Sequence, residues 1–340
     1  MTISSKKRAW ISVATLLLIA TACAGVYLYG LHRSFSAASA GTPPSILGEL
    51  PPDAPTIVYI DVAALRKMQD SPLASLLGLT GTPPRADLDY QNFVRDTGFD
   101  YSRDLDVAAI ALWPTSLGVI SHGASEGQTL IIAEGRFDKH KIESYALRTG
   151  RVAMHGAQSV YEVPGSPPVS FEFLSPTRIA LASGKEGGVL PLPFHSAARD
   201  PVMQARLDRV AGAPLFGVAR TDHLPESFYA DFRNSPQLEA LARSIQGIDL
   251  AGQPDGDTVK VSLDAECDAV KSAFEIATLL DGFRLVGSMA LADPKTRHQM
   301  TKEQAAFLDA VIRKVKIDHQ DRWVRLNLDV TPAMLSAKGN

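Results

Sequence analysis

Four carboxylates are the residues of this chain best suited, by type and spacing, to do chemistry. Asp100, Asp104 and Asp106 stand close together just before the apolar run Val107-Ala108-Ala109-Ile110-Ala111-Leu112-Trp113, and Asp61 sits inside the run Thr56–Val62. Two carboxylates held by a fold can divide the roles of general acid and base, or share a calcium ion. Acidic side chains also form turns and cap helices routinely. Their spacing here lacks the alternate ligands, glycine and closing glutamate of a calcium-binding helix–loop–helix. The pattern admits a hydrolase site assembled from dispersed carboxylates and histidines, and it assigns no catalytic residue.

The other reactive types are less suggestive. His140, His155, His195, His223, His298 and His319 are scattered, with no two at the i, i+4 spacing that sets paired metal ligands on one helix face. No metal site is expected. Cys267 falls with Val270, Phe274 and Ala277 at helical spacing, which predicts a small core hydrophobe on a helix running from about Glu266 to Leu280. Gly118 and Gly123 have the spacing of a phosphate-binding loop, but Ala124 and Ser125 stand where lysine and serine or threonine should follow. Ser183-Gly184-Lys185-Glu186-Gly187-Gly188 is glycine-rich without the strand–glycine–helix order of a dinucleotide site. No cofactor is expected. Beyond residue 33 no S-x-x-K pair is present.

The elements that must position these residues begin with the N-terminus. From Ala9 to Leu31 the chain carries no charge, and as a helix at about 1.5 Å per residue the run spans roughly 34 Å, enough for a bilayer core. Lys6, Lys7 and Arg8 precede it and Arg33 follows. Trp10 lies near one end, with Tyr27 and Tyr29 near the other. This pattern predicts an uncleaved signal-anchor, a single-pass transmembrane helix in the bacterial inner membrane with the N-terminus cytoplasmic and the rest exported to the periplasmic side. Two other readings stand beside it: a signal peptide cleaved near Ala38-Ser39-Ala40, and a lipoprotein signal ending at Cys23. Either way the lipid bilayer is the first partner.

Anchor and exported part differ in charge. The whole chain of 340 residues has a formal charge of −3, but residues 34–340 carry 30 basic against 37 acidic groups, a net of −7. That balance speaks against nucleic acid as a partner. Hydrophobic residues at 45% and charged residues at 21% exclude a disordered or polytopic membrane chain, and two cysteines exclude a disulfide scaffold. Residues 34–52, rich in Ser, Ala, Gly and Pro, read as a flexible tether.

Beyond the tether, strands and helices alternate in an order that recurs. Thr56–Val62 and Pro214–Ala219 each read as a strand. Ser71-Pro72 and Ser235-Pro236 each read as a helix start, because serine caps free amides and proline suits the first helical turn. Asp104–Trp113 and Thr129–Glu134, then Ile248–Leu250 and Thr258–Ala265, read as strands. Each set precedes a helix, the first over about Asp138–Thr149. Alternation at Val169, Phe171 and Phe173, at Ile179 and Leu181, and at Val324, Leu326, Leu328 and Val330 predicts closing antiparallel strands. Thr301 and Gln304 form a capping box before Phe307, Leu308, Val311 and Ile312. Residues 290–300, carrying Lys295, Arg297 and His298, read as a loop. The fold class is α+β: mainly antiparallel strands with helices packed on the sheet, read either as one unit used twice, over 53–212 and 213–337, or as one continuous sheet with helices on one face.

The segment Leu50-Pro51-Pro52-Asp53-Ala54-Pro55, with Tyr59-Ile60-Asp61 and Ala64-Leu65-Arg66 after it, resembles the start of an uncharacterised bacterial family of exported or membrane-anchored proteins, a domain of unknown function. The resemblance implies bacterial origin and an extracytoplasmic location, and supplies no activity. The functional expectation is a non-enzymatic binding or scaffold module of the bacterial envelope, meeting another envelope protein. The alternatives are a carrier or chaperone for an apolar ligand, and the hydrolase above.

Overall fold

The structure, a computed structural model, describes residues 43–67, 88–113, 128–155, 158–164, 168–183, 199–224, 226–229, 232, 235–256, 258–294, 300–331 and 334. The run Ala9–Leu31, the helix start at Ser71-Pro72, the glycines at 118, 123 and 184–188, and His195, Lys295, Arg297 and His298 lie outside them.

Strands with alternating or wholly apolar patterns join into one antiparallel sheet. In chain order they are β1 (Thr56–Asp61), β2 (Leu105–Trp113), β3 (Gln128–Gly135), β4 (Arg151–His155), β5 (Gln158–Val163), β6 (Val169–Ser175), β7 (Arg178–Ser183), β8 (Leu215–Arg220), β9 (Ile245–Asp255), β10 (Thr258–Cys267), β11 (Lys316–Gln320) and β12 (Trp323–Val330). Their spatial order is β11-β12-β10-β9-β8-β1-β2-β3-β7-β6-β5-β4. The α+β class with a large antiparallel sheet is therefore as the sequence indicates. Strands β1 and β8 pair at the centre, with Tyr59 opposite Phe216 and their rings stacked at 4.9 Å.

Helices cover both faces. On one, α1 (Val62–Arg66), α2 (Leu88–Thr97) and α3 (Tyr101–Asp104) lead into β2, and α4 (Lys139–Thr149) sets Ile142 and Ala146 on Ala133, Tyr161, Phe171 and Ile179. At the other end of the sheet, α8 (Val270–Ala292) sets Ala273, Ile276 and Ala277 on Ala265, Cys267 and Val324, and α9 (Lys302–Lys314) lies against it. The opposite face takes α5 (Pro201–Val210), whose Met203, Leu207 and Val210 pack in one core with Ile57, Tyr59, Ala109 and Phe216. Between β8 and β9 run the short α6 (Glu226–Tyr229) and α7 (Pro236–Ser244).

Strand register shows why only part of that opposite face needs a lid. One row of directly opposed residues reads Val218, Ile57, Ala111, Leu130, Ala182, all buried and apolar. Continued the other way, past Val218, the same row reads Asp249, Asp264, Arg325, Asp318. The face changes from apolar to charged at β9, and α5 lies over the change.

Three expectations are corrected. Residues 45–50, expected within a flexible tether over 34–52, are folded: Ser45–Glu49 forms a 3-10 turn and Ile46, Leu47 and Leu50 are buried in the main core; three apolar side chains among small and proline residues suffice to dock this stretch. Cys267 ends strand β10 instead of riding a helix: pairing with β9 holds it extended to that point, so α8 begins at Val270. Val270 and Phe274, expected on its core face, are exposed. Helix α8 also runs on to Ala292, into the expected loop, because nothing between Asp281 and Ala292 breaks a helix except two tolerated glycines. The capping box is present, with the Gln304 amide accepted by Thr301 Oγ1 at 3.2 Å and the Thr301 amide accepted by Gln304 Oε1 at 3.1 Å. Ser235 precedes α7 with no side-chain capping bond; Pro236 alone marks that start.

Candidate functional site

The four carboxylates are each engaged locally. Asp61 caps α1, its Oδ1 accepting from the Ala64 amide at 2.7 Å. Asp100 caps α3 by accepting from the amide and hydroxyl of Ser102, at 2.9 and 2.6 Å. Asp106 pairs with Arg66 at 3.3 Å, and the same guanidinium donates to the carbonyls of Ser102 and Leu105, fastening α1 to the start of β2. Asp104 is buried and takes bonds from Arg103 Nη2 at 2.6 Å and from the Asp100 amide at 3.0 Å, with Arg136 3.7 Å away. These are caps and staples.

Hydrogen bonds from Arg103, chiefly, hold the Asp104 carboxyl below its ordinary range. A carboxyl whose folded value is depressed stabilises the fold above its unfolded value, about 4, and that stability is lost as pH falls through the lower folded value. Melting curves of wild type and Asp104→Asn should therefore differ most near neutral pH, with the gap closing below about pH 4. A gap unchanged from pH 7 to pH 3 would contradict the assignment.

The remaining reactive groups are spread apart. Cys267 is fully buried, and burial pushes its thiol up to about 11, so it is inert as a nucleophile. His140 is exposed on α4, and His319 stands on β11 edge-on to Phe274, with ring centroids 5.4 Å apart. His155 ends β4, and His223 lies in a 3-10 turn. Among the described residues no three His, Cys, Asp or Glu side chains could hold a metal ion together.

Sequence reasoning missed the strongest polar constellation, a buried charge network beneath α5. Arg206 is 2% exposed; its Nη2 donates to Glu266 at 2.6 Å, and Nη1 lies 3.5 Å from Asp249. Arg209 grips the same Asp249 through Nη2 at 2.7 Å and Nε at 3.1 Å, and stacks its guanidinium over Trp323 at 4.3 Å. Arg322 reaches Glu266 at 3.3 Å. Burial raises the Asp249 carboxyl above its usual range against the pull of both arginines. With its acids tied to arginines, the cluster is a fastening of α5 to β9, β10 and β12. The signal was present: Arg206 sits on the apolar face of an Asp-Pro-capped helix with Met203 and Leu207, and Asp249 interrupts an apolar strand.

The feature best suited to meeting another molecule is α8. Its ion pairs, Lys271–Glu275 and Asp281–Arg284, occupy the first four turns. From Leu285 to Ala292 there is no charged residue. The outward stripe reads Lys271, Phe274 (54% exposed), Thr278 and Asp281, then continues without charge through Leu285 (61% exposed), Val286 and Met289 (66% exposed). The inner side of the same turns is closed: a methyl added at Gly287 would come within 2.9 Å of Ile312 Cδ1 on α9. Helix α9 thus supports α8 from behind and leaves the apolar side chains in water.

No described protein family and no curated protein matches the chain in sequence. In structure it is similar to crystal form I of TP0453, at 10% identity and a TM-score of 0.45, covering 87% of this chain and 96% of that one. Crystal form III of TP0453 gives 12% identity, a TM-score of 0.44, and coverage of 88% and 98%. The likeness is too distant for any role to be carried from one chain to the other.

Proposed function

We propose that this chain is a non-enzymatic binding module of the bacterial envelope, anchored in the inner membrane by Ala9–Leu31, whose working surface is the apolar end of α8. The observation that carries the reading is the row Leu285, Val286 and Met289, three large apolar side chains held in water together on the uncharged end of the helix. Covering each would gain about 1.5–3 kcal/mol before the costs of association, and contiguous exposed apolar surface marks interaction sites. The basic-flanked apolar run supports the anchor. Among the described residues no helix is long and apolar enough to cross a membrane, so in this reading the anchoring falls to that run. The occupant is an apolar surface of another envelope protein. From the β1–β8 seam outward each half runs three strands in chain order and then its last strands in reverse, β1-β2-β3-β7-β6-β5-β4 on one side and β8-β9-β10-β12-β11 on the other, which supports reading 53–212 and 213–337 as two copies of one unit, the first longer by a hairpin.

A hydrolase would need carboxylates at liberty to exchange protons, and Asp61, Asp100, Asp104 and Asp106 are all spent on caps and ion pairs. The binding reading is tested by photo-crosslinking in intact cells from position 285. A discrete protein adduct that Met289→Asp abolishes is expected. Adducts to lipid alone, or none, would overturn the reading.

A further inference from the structure

The sheet ends in two edge strands that are treated oppositely. Edge strands expose unpaired amides and carbonyls and invite pairing with another chain, which natural proteins prevent with charges, prolines or bulges. Strand β11 is guarded in this way: Lys316 and Asp318 alternate along it and four of its five residues are exposed. Strand β4 pairs, among the described residues, only with β5, and it carries no such guard. Its one charged residue, Arg151, is turned back onto Glu162 of β5 in an ion pair. The next three residues, Val152, Ala153 and Met154, present no charge, and Val152 and Met154 are 45% and 66% exposed.

The pattern is also self-complementary. Val152 and Met154 lie on one face of the sheet, the face that bears α4, whose last turns add the exposed Leu147. Gly150 makes the join between α4 and β4 tight, because its α-carbon packs directly on the Glu162 carbonyl with no room for a side chain. If a second β4 is laid antiparallel to the first with Ala153 on the two-fold axis, Val152 of each copy falls opposite Met154 of the other. Alternate residues of each strand then supply the amides and carbonyls that close the ladder, and the two Leu147 side chains flank it.

We propose that β4 is the seam of a two-fold homodimer in which the sheets of two copies of this chain join edge to edge. The occupant is a second copy because Val152 and Met154 answer each other under the two-fold rotation, which places Arg151, already paired with its own Glu162, at the position opposite residue 155 of the other copy. An isologous contact of this kind closes at two chains. The inference does not depend on the α8 reading, since the two surfaces lie at opposite ends of the sheet.

Directly opposed residues of an antiparallel pair have α-carbons about 4.5 or 5.5 Å apart, both within disulfide reach. The full-length chain carrying Cys23→Ser and Ala153→Cys should therefore oxidise in membranes to a species of twice the chain mass. The matching Lys316→Cys chain, on the guarded edge, should stay single. Adding Met154→Lys should abolish the 153 crosslink while leaving the chain folded, as read by its circular dichroism, because that side chain is exposed in the single chain. No crosslink at 153, equal crosslinking at 316, a disulfide to some other protein, or a crosslink indifferent to Met154→Lys would each overturn the proposal.

Discussion

Arg206→Ala is expected to destabilise the fold by about 3–5 kcal/mol, the usual cost of removing one partner from a buried ion cluster. The guanidinium is 2% exposed and Asp249 is 3% exposed, so neither can turn to water when the other is lost. Removing Arg206 leaves Glu266 with the half-exposed Arg322 alone, and Asp249 with Arg209 alone. It also detaches α5, whose Leu207 and Met203 close the main core at the point where the sheet face turns from apolar to charged. Arg209→Ala should cost less, because Arg209 is 41% exposed and part of its pairing is screened. Denaturant midpoints of the two variants decide the matter. A loss under about 1 kcal/mol for Arg206→Ala would mean that the network contributes no more than a surface pair does.

A second large effect is expected at Gly247, and its sign depends on Arg206. A methyl at that position would overlap the Arg206 guanidinium, which lies directly on the glycine and cannot swing away because Asp249 and Glu266 hold it. Gly247→Ala alone should cost about 1–3 kcal/mol through overpacking. In the Arg206→Ala background the obstruction is gone, so the same substitution should cost little, and the two changes should be non-additive by about 0.5–3 kcal/mol. Strict additivity would show that the close approach of Arg206 to β9 is not what requires glycine at 247.

These effects lie in a part of the molecule that pattern reading passes over, for a physical reason. Strands such as Val324-Arg325-Leu326-Asn327-Leu328, and helices such as the one opened by Thr301 and Gln304, announce themselves through period and capping, which are local. The Arg206 network joins residues 43 and 60 positions apart, and although Arg206 shares a helix face with Met203 and Leu207, nothing in that face names Asp249 and Glu266 as its partners. Strand β4 was missed because Arg151–His155 is short, and its apolar run of three, Val152-Ala153-Met154, is below the length at which a strand is read from sequence. Helix α5 went unread although Asp200-Pro201, a cap followed by proline at the first turn, marks its start. Cys267 was placed on a helix because its spacing to Ala277 is helical, yet it is pairing with Ile245 across the sheet that fixes the last residue of β10. At the carboxylates the sequence showed the residues and left open their use; the bonds to Ala64, Ser102, Arg103 and Arg66 show that use to be structural. The apolar end of α8 was hidden because a continuous apolar run reads as core until the sheet, α9 and Ile312 are seen to occupy only one side of it.

The account's central claim is that α8 meets a protein partner through its last turns, and a comparison along that one helix tests it most directly. A photo-reactive residue would be placed at Leu285 in one full-length chain and at Thr278, two turns earlier on the same outward stripe, in another, and both activated in intact cells. The account predicts a discrete protein adduct from position 285 that is absent from position 278. The same adduct in equal yield from both positions, or none from either, would contradict it.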